Sequence, residues 1–104
     1  MSRVQVLVSD LMLASKVSET LSSAGHEILA GGEPSPAVEL IVADLDAVEM
    51  EAVAQAGPPT LGFYQHTDVE TRRRAEAAGF DLVVPRSRMA RELPELAAGL
   101  LAPE

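Results

Sequence analysis

The feature that most constrains the fold is a series of five short apolar runs separated by stretches with helical spacing. The runs are rich in Val, Leu and Ile, the composition of strands buried on both faces of a parallel sheet. They cover Val4–Val8, His26–Ala30, Glu39–Ala43, Thr60–Tyr64 and Leu82–Val84. Strands that alternate with helices favour a parallel sheet covered on both faces, because each crossover is right-handed. We therefore predict a doubly wound α/β fold with five parallel strands.

Helices are predicted in four of the five segments that follow the runs, and the segment after the second run is the exception. Apolar residues recur at three- and four-residue steps from Leu11 to Ala24, and Gly25 ends that first helix. Residues 31–38 contain two Gly and two Pro and can hold at most about one turn, so the second helix is expected to be shortened or missing. Two other helices are predicted over 46–56 and over 67–78, the latter behind a Thr67 capping box. Apolar residues between Met89 and Leu101 mark the last helix.

Two details of these helices are left as interpretations. Pro94 lies inside the last helix, so that helix either begins near Leu93 or kinks there. The methionines Met12, Met50 and Met89 are interpreted as core fillers.

Composition limits the classes of function. A chain of 104 residues with 47% hydrophobic residues can build one domain over residues 1–104. A net charge of −8 and three aromatic residues argue against binding to nucleic acid or to an anionic membrane surface. No cysteine is present, and no stretch approaches the roughly 20 apolar residues of a membrane helix, so we expect a cytoplasmic protein without thiol chemistry.

Polar residues gather where the predicted strands end, which is where parallel α/β sheets place their function. Asp10 follows the first strand and Asp44 the third, so the carboxylates lie close together if these strands are neighbours. With the backbone carbonyl of Asp46, the pair could hold a hydrated Mg²⁺. Alternatively, each Asp simply caps the helix that it precedes. Arg86 after the fifth strand would add a fixed positive charge, which capping does not explain.

Three segments of the chain resemble the receiver domain of bacterial response regulators. They are Val6-Leu7-Val8-Ser9-Asp10, Leu40-Ile41-Val42-Ala43-Asp44, and the stretch from Ala78-Gly79-Phe80 to Val84 before Arg86. The resemblance covers nearly the whole length and implies a flavodoxin-like sheet with strand order 2-1-3-4-5. It also implies that Asp44 is the phospho-acceptor, that Asp10 belongs to the acidic pair that binds Mg²⁺, and that Arg86 replaces the Lys that neutralises the phosphoryl group.

Several positions depart from the pattern of that family. Ser9 replaces one acid of the pair, and Tyr64 replaces the short hydroxyl that senses the phosphoryl group. Val83 stands where many members keep a switch aromatic, and a guanidinium at Arg86 does not replace an ammonium in a tight pocket. These changes indicate a pseudo-receiver, a receiver-like module that acts by binding a kinase or an effector protein and whose phosphorylation switch is lost or altered. A phospho-accepting, Mg²⁺-dependent receiver remains the alternative.

The arginines are concentrated in the second half of the chain. Residues 1–57 carry two basic residues and nine acids, whereas residues 58–104 carry six Arg and seven acids. In receivers the face of the fourth helix, fifth strand and fifth helix commonly mediates dimers, so the resemblance favours a homodimer or docking there. The residues concerned are Arg72, Arg73, Arg74, Arg88 and Arg91. The alternative is a solvated surface with local pairs such as Arg72 to Glu76.

Two other readings come from different classes of protein. Asp44-Leu45-Asp46-Ala47-Val48 fits the short Asp-based motif of haloacid-dehalogenase-like phosphatases, but the downstream Lys and acidic pair of those enzymes are missing. A flavin or nucleotide carrier would need a Gly-rich phosphate loop after a strand, and none follows. We therefore expect no enzymatic activity beyond autophosphorylation at Asp44, and no cofactor apart from Mg²⁺.

Overall fold

The structure is a computed structural model that describes residues 2–65 and 67–101. Strands and helices alternate along the chain as the apolar runs predict. The strands are β1 (Arg3–Leu7), β2 (Glu27–Ala30), β3 (Leu40–Asp44), β4 (Thr60–Tyr64) and β5 (Leu82–Pro85). The helices are α1 (Leu11–Ser23), α2 (Met50–Ala54), α3 (Val69–Ala78) and α4 (Arg86–Leu101).

The five strands form one parallel sheet in the order β2-β1-β3-β4-β5. In register, Leu7 of β1 lies beside Ala43 of β3, and Tyr64 of β4 lies beside Pro85 of β5. Both the parallel sheet and the strand order confirm the prediction. All the carboxyl ends of the strands consequently lie along one edge.

Each face of the sheet has its own apolar core. On one face, side chains of β1, β3 and β4 pack with Leu13, Val17 and Met89 of α1 and α4. On the other face, Leu7, Ile41 and Tyr64 pack with residues of α2 and α3. Alternation along the strands produces this division, because successive side chains of a strand point to opposite faces.

The connection from β2 to β3 carries no helix, which confirms the prediction of a shortened or missing helix there. A buried polar residue, Gln5 of β1, holds this segment in place and is fully shielded from solvent. Its Nε2 donates hydrogen bonds to the carbonyls of Gly31 (2.9 Å) and Glu33 (2.8 Å), and its Oε1 accepts one from Ser35 N (2.9 Å). The Gln5 side chain therefore binds backbone groups of this segment that would bind one another within a helix.

Two predicted helix starts are wrong. The helix predicted from residue 46 begins at Met50, because residues 45–47 form a turn in which Ala47 N donates to the carbonyl of Asp44. The helix predicted to start with a Thr67 capping box is instead capped by Asp68, whose side chain accepts from Thr71 N. The Asp68 carboxylate also accepts from the Thr71 hydroxyl, a second bond that Thr67 does not provide.

The last helix begins at Arg86, and Pro94 kinks it, which confirms the second of the two interpretations of that proline. Glu92 has non-helical dihedrals (φ −122°, ψ 15°) two residues before the proline. Pro94 lacks an N–H and crowds the preceding turn, which accounts for the break. Of the helices in the described part of the chain, none has the length and apolar character needed to cross a bilayer.

Candidate functional site

The candidate site lies along the carboxyl edge of the sheet, where β1 and β3 end side by side. Asp44 is the last residue of β3, and Asp10 follows β1 after Val8 and Ser9. The pairing of Leu7 with Ala43 makes these two strands direct neighbours. The assumption on which the acidic pair depends is therefore confirmed at the level of the backbone.

Asp10 is the N-cap of α1. Its Oδ1 accepts hydrogen bonds from Met12 N (3.0 Å) and Leu13 N (3.1 Å), two donors that have no partner inside the helix. The side chain is exposed, and its negative charge lies at the positive end of the helix dipole. The capping interpretation is thus confirmed for Asp10, and only its Oδ2 remains outside these bonds.

Asp44 does not cap a helix, so the capping interpretation is wrong for this residue. Its Oδ1 accepts from Asp46 N (3.0 Å) within the turn that precedes α2, whose own N-cap is Glu49. Asp44 is partly buried at the strand end, and Asp46 is exposed. The turn therefore holds the Asp44 carboxylate in place at the edge of the sheet, and Oδ2 takes no part in this hydrogen bond.

The donor set at this edge suits Mg²⁺ only in a largely hydrated form. Asp10 and Asp44 each have one oxygen engaged by backbone N–H groups, and Ser9 contributes no charge. Residues 2–65 and 67–101 contain no group of three or more His, Cys, Asp or Glu side chains arranged to hold a metal. Because Mg²⁺ takes one or two carboxylates and keeps several waters, the pair fits such an ion weakly. The proposed carbonyl ligand at Asp46 remains a prediction.

Tyr64, which the resemblance aligns with a sensing hydroxyl, is only 6% exposed. It belongs to the apolar core on the α2 and α3 face, together with Leu7 and Ala75. A phenol packed in this way cannot swing inward onto a phosphoryl oxygen without displacing its neighbours.

Arg86 is the first residue of α4 and is exposed. It lies after β5, and β4 separates β5 from β3, so two strand spacings of about 4.8 Å each lie between the backbones of β3 and β5. Within the described residues, Arg86 makes no ion pair with Asp10, Asp44 or any other carboxylate. The structure thus brings Arg86 to the same edge as the two acids but not into contact with them.

The other arginines lie on α3 and α4, and several of them form local ion pairs. Nε of Arg72 lies 3.9 Å from Oε1 of Glu76. The guanidinium groups of Arg88 and Arg91 each have a nitrogen 3.4 Å from a carboxylate oxygen of Glu92. All of these pairs are exposed, where such pairs contribute about 0–1 kcal/mol each. Arg73 and Arg74 are exposed on α3. The local pairs of the alternative interpretation therefore exist, and the use of this face for docking stays a prediction.

The sequence analysis missed the roles of three residues. Leu11 and Met12, assigned there to the apolar stripe and to the core, are 85% and 84% exposed on the first turn of α1. Both assignments are wrong, because these two side chains lie outside the buried face of α1. That face is formed by Leu13, Val17 and Leu21. Met50 and Met89 are buried as predicted. The sequence analysis also missed the role of Gln5, because this residue lies within an apolar run. A polar residue in a strand that is predicted to be buried could have indicated that it binds other backbone groups.

Comparison with known proteins gives a result at the level of structure only. No protein-family model and no curated protein sequence matches the chain. A putative response regulator from Chloroflexus aurantiacus J-10-fl superposes with a TM-score of 0.82 at 16% identity, covering 98% of both chains. The receiver domain of Francisella response regulator 1452 gives 0.80 at 13% identity, covering 97% of each chain.

Part of a longer protein has a similar fold. NtrX from Brucella abortus matches with a TM-score of 0.78 at 18% identity, over 96% of this chain but only 26% of that one. This chain therefore spans about a quarter of that relative.

The sheet order, the two helical layers and the acids at the carboxyl edge define a doubly wound α/β protein of the flavodoxin type. More specifically, the fold is that of response-regulator receiver domains, with the second helix absent.

Proposed function

We propose that this protein is a receiver-like signalling module of the two-component type that acts by binding other proteins, with its phosphorylation switch lost or altered. The fold supports a signalling role. The observation that carries the loss of the switch is the burial of Tyr64, whose ring is part of the core at the position where a receiver needs a small mobile hydroxyl.

The first turn of α1 supports a role in protein binding. Leu11 and Met12 are large apolar side chains that are almost fully exposed, and they directly follow the candidate site in the chain. Exposed apolar residues beside a polar site are typical of surfaces that bind proteins. We infer that a kinase or an effector protein contacts this edge. We also propose a homodimer through the arginine-bearing face of α3, β5 and α4.

The leading alternative is a phospho-accepting receiver. Asp44 favours it, since this carboxylate is partly accessible and only its Oδ1 is held by the turn. In that case an Asp44 oxygen would attack the phosphorus of a phosphodonor, and the bond between phosphorus and the donor's leaving group would break. Asp10 and Asp44 would hold an Mg²⁺ that offsets charge on the transferring oxygens. A phosphatase-like enzyme is less well supported, because the Asp-Leu-Asp motif follows the third strand rather than the first.

The test is phosphorylation by a small phosphodonor with Mg²⁺, followed by the intact mass of the wild type and of Asp44→Asn. We expect both proteins to keep their mass. A stable gain of one phosphoryl group in the wild type alone would establish the phospho-accepting alternative. Turnover of a generic phosphate ester that Asp44→Asn abolishes would establish the phosphatase instead.

A further inference from the structure

A groove of about 490 Å³ opens at the carboxyl end of β1, between the connection from β2 to β3 and helix α2. It lies where that connection, with a helix, would have covered the sheet, since a crossover between parallel strands usually carries one. Most of the lining is apolar. These residues are Leu7, Val8, Pro34, Ala47, Val48, Ala52 and Val53.

One wall of the groove is fixed. Gly32, Glu33 and Pro34 belong to the segment that Gln5 binds through three hydrogen bonds of 2.8 to 2.9 Å. The opposite wall is α2, which Met50 and Val53 anchor in the core. A site with both walls already held requires little ordering when a ligand enters, which favours binding.

The charged residues that line the groove are all acidic. Glu33 and Glu49 contribute carboxylates to the lining, and no Lys or Arg of the described residues lines it. The neighbouring turn adds Asp46, which is exposed. Such a surface attracts positively charged partners and repels acidic ones.

We propose that the groove is a docking site for a helix of a partner protein, with apolar residues on one side and Lys or Arg on the flanks. The partner helix takes the place that the missing helix leaves, and this is the helix-in-groove mode of recognition. The volume falls within the range of about 300–1,000 Å³ that is typical of pockets for drug-sized ligands. A groove of this size admits apolar side chains of the partner helix, while the helix backbone lies over it. This proposal names the partner chemistry of the proposed interaction module and rests on that function.

The probes are two synthetic helical peptides with the same leucine stripe, one flanked by Lys and the other by Glu. Fluorescence anisotropy measures their affinities, and amide shifts in ¹⁵N spectra locate the bound peptide. We expect the Lys peptide to bind at least about tenfold more tightly than the Glu peptide, and less tightly as salt rises. The shifts should centre on Gly32, Val48 and Ala52.

Two charge reversals on α2 provide a matched pair. Glu49→Lys changes a residue that lines the groove, whereas Glu51→Lys makes the same change two residues away, outside the lining. We expect about fivefold weaker binding of the Lys peptide for the first and a change within about twofold for the second. Ala52→Trp should fill the groove and reduce binding at least about tenfold.

Several results would overturn the proposal. They are equal affinity for the two peptides, equal effects of Glu49→Lys and Glu51→Lys, and shifts confined to Leu11 and Met12. Self-association of the free protein that Glu49→Lys weakens would show instead that a second copy occupies the groove. Each of these outcomes is independent of the mass measurement at Asp44, so the groove and the loss of the switch can fail separately.

Discussion

The connections from β2 to β3 and from β4 to β5 cross the same face of the sheet, but only the second carries a helix. In the first, the Gln5 side chain binds the backbone of the crossing segment but leaves apolar surface open. In the second, α3 satisfies its own backbone and also buries apolar residues such as Ala75. A polar side chain can thus replace the hydrogen bonds of a helix without replacing its cover, and the uncovered surface is available to a partner.

The largest effect is expected from removing the Gln5 hydrogen bonds. Gln5→Leu leaves the carbonyls of Gly31 and Glu33 and the N–H of Ser35 without their partner, which should lower the free energy of unfolding by about 2–4 kcal/mol. Urea denaturation measures this change. Gln55→Leu is the matched control, an exposed position at the end of α2 where we expect a change within about 0.5 kcal/mol. Equal stability of Gln5→Leu and the wild type would show that the segment is held by other contacts.

A smaller effect is expected on the side of the sheet that α3 covers. A Cβ on Gly62 of β4 would lie 2.7 Å from Leu45 Cδ2 and 2.9 Å from Phe80 Cδ2, and both of those side chains are buried. Gly62→Ala should therefore destabilise the protein by about 1–3 kcal/mol through overpacking.

Gly99→Ala is the control for this substitution, because a Cβ there meets nothing within 4 Å. In the helix α4 this change should stabilise the protein by about 0.5–1 kcal/mol. Thermal or urea unfolding of the two variants should show opposite signs. If both changes stabilise the protein, the packing around Gly62 is looser than the contacts indicate.

Much of the fold was predictable from the sequence because strand composition and helix spacing are local signals. Short Val- and Leu-rich runs predicted all five strands, and two Gly and two Pro between the second and third predicted the missing helix. The helix starts were less predictable. Asp68 rather than Thr67 caps α3 because its carboxylate accepts two bonds from Thr71, a geometry that the spacing of residues does not reveal.

The smallest effect concerns that cap of α3. Hydrogen bonds from the Thr71 hydroxyl and the Thr71 backbone N–H lower the pKa of the Asp68 carboxyl, and Arg74 contributes in the same direction. A carboxyl whose pKa is lowered by folding stabilises the folded state above its usual pKa and loses that contribution as pH falls through the lowered pKa. The stability advantage of the wild type over Thr71→Val should therefore shrink in acid, below about pH 4.

An NMR titration of the Asp68 carboxyl checks the cause directly. In Thr71→Val the pKa of Asp68 should move up towards its usual range, because the substitution removes the hydrogen bond from the Thr71 hydroxyl, which lowers this pKa most. An unchanged titration in that variant would assign the lowered pKa to the backbone hydrogen bond from Thr71, which the substitution keeps, and to Arg74.

The candidate site was predictable only in part. Position along the chain placed Asp10 and Asp44 at the ends of two strands, and the resemblance to receivers implied that these strands are neighbours, as the structure shows. Which oxygens are engaged depends on turns, and Asp44 binds its own turn rather than capping a helix. Helical periodicity assigned Leu11 to the apolar stripe, and Met12 was interpreted as a core filler from its residue type. Both are exposed, because the buried face of α1 runs through Leu13 and Val17 instead.

The most direct test of the account is to restore the missing acid with Ser9→Asp, at an exposed position beside Asp10. Phosphodonor and Mg²⁺ are added to wild type and variant, and the intact mass is followed over time. If the switch is lost partly because one acid is missing, Ser9→Asp gains a phosphoryl group that Asp44→Asn removes again, while the wild type stays unmodified. Labelling of the wild type as fast as that of Ser9→Asp would contradict the account.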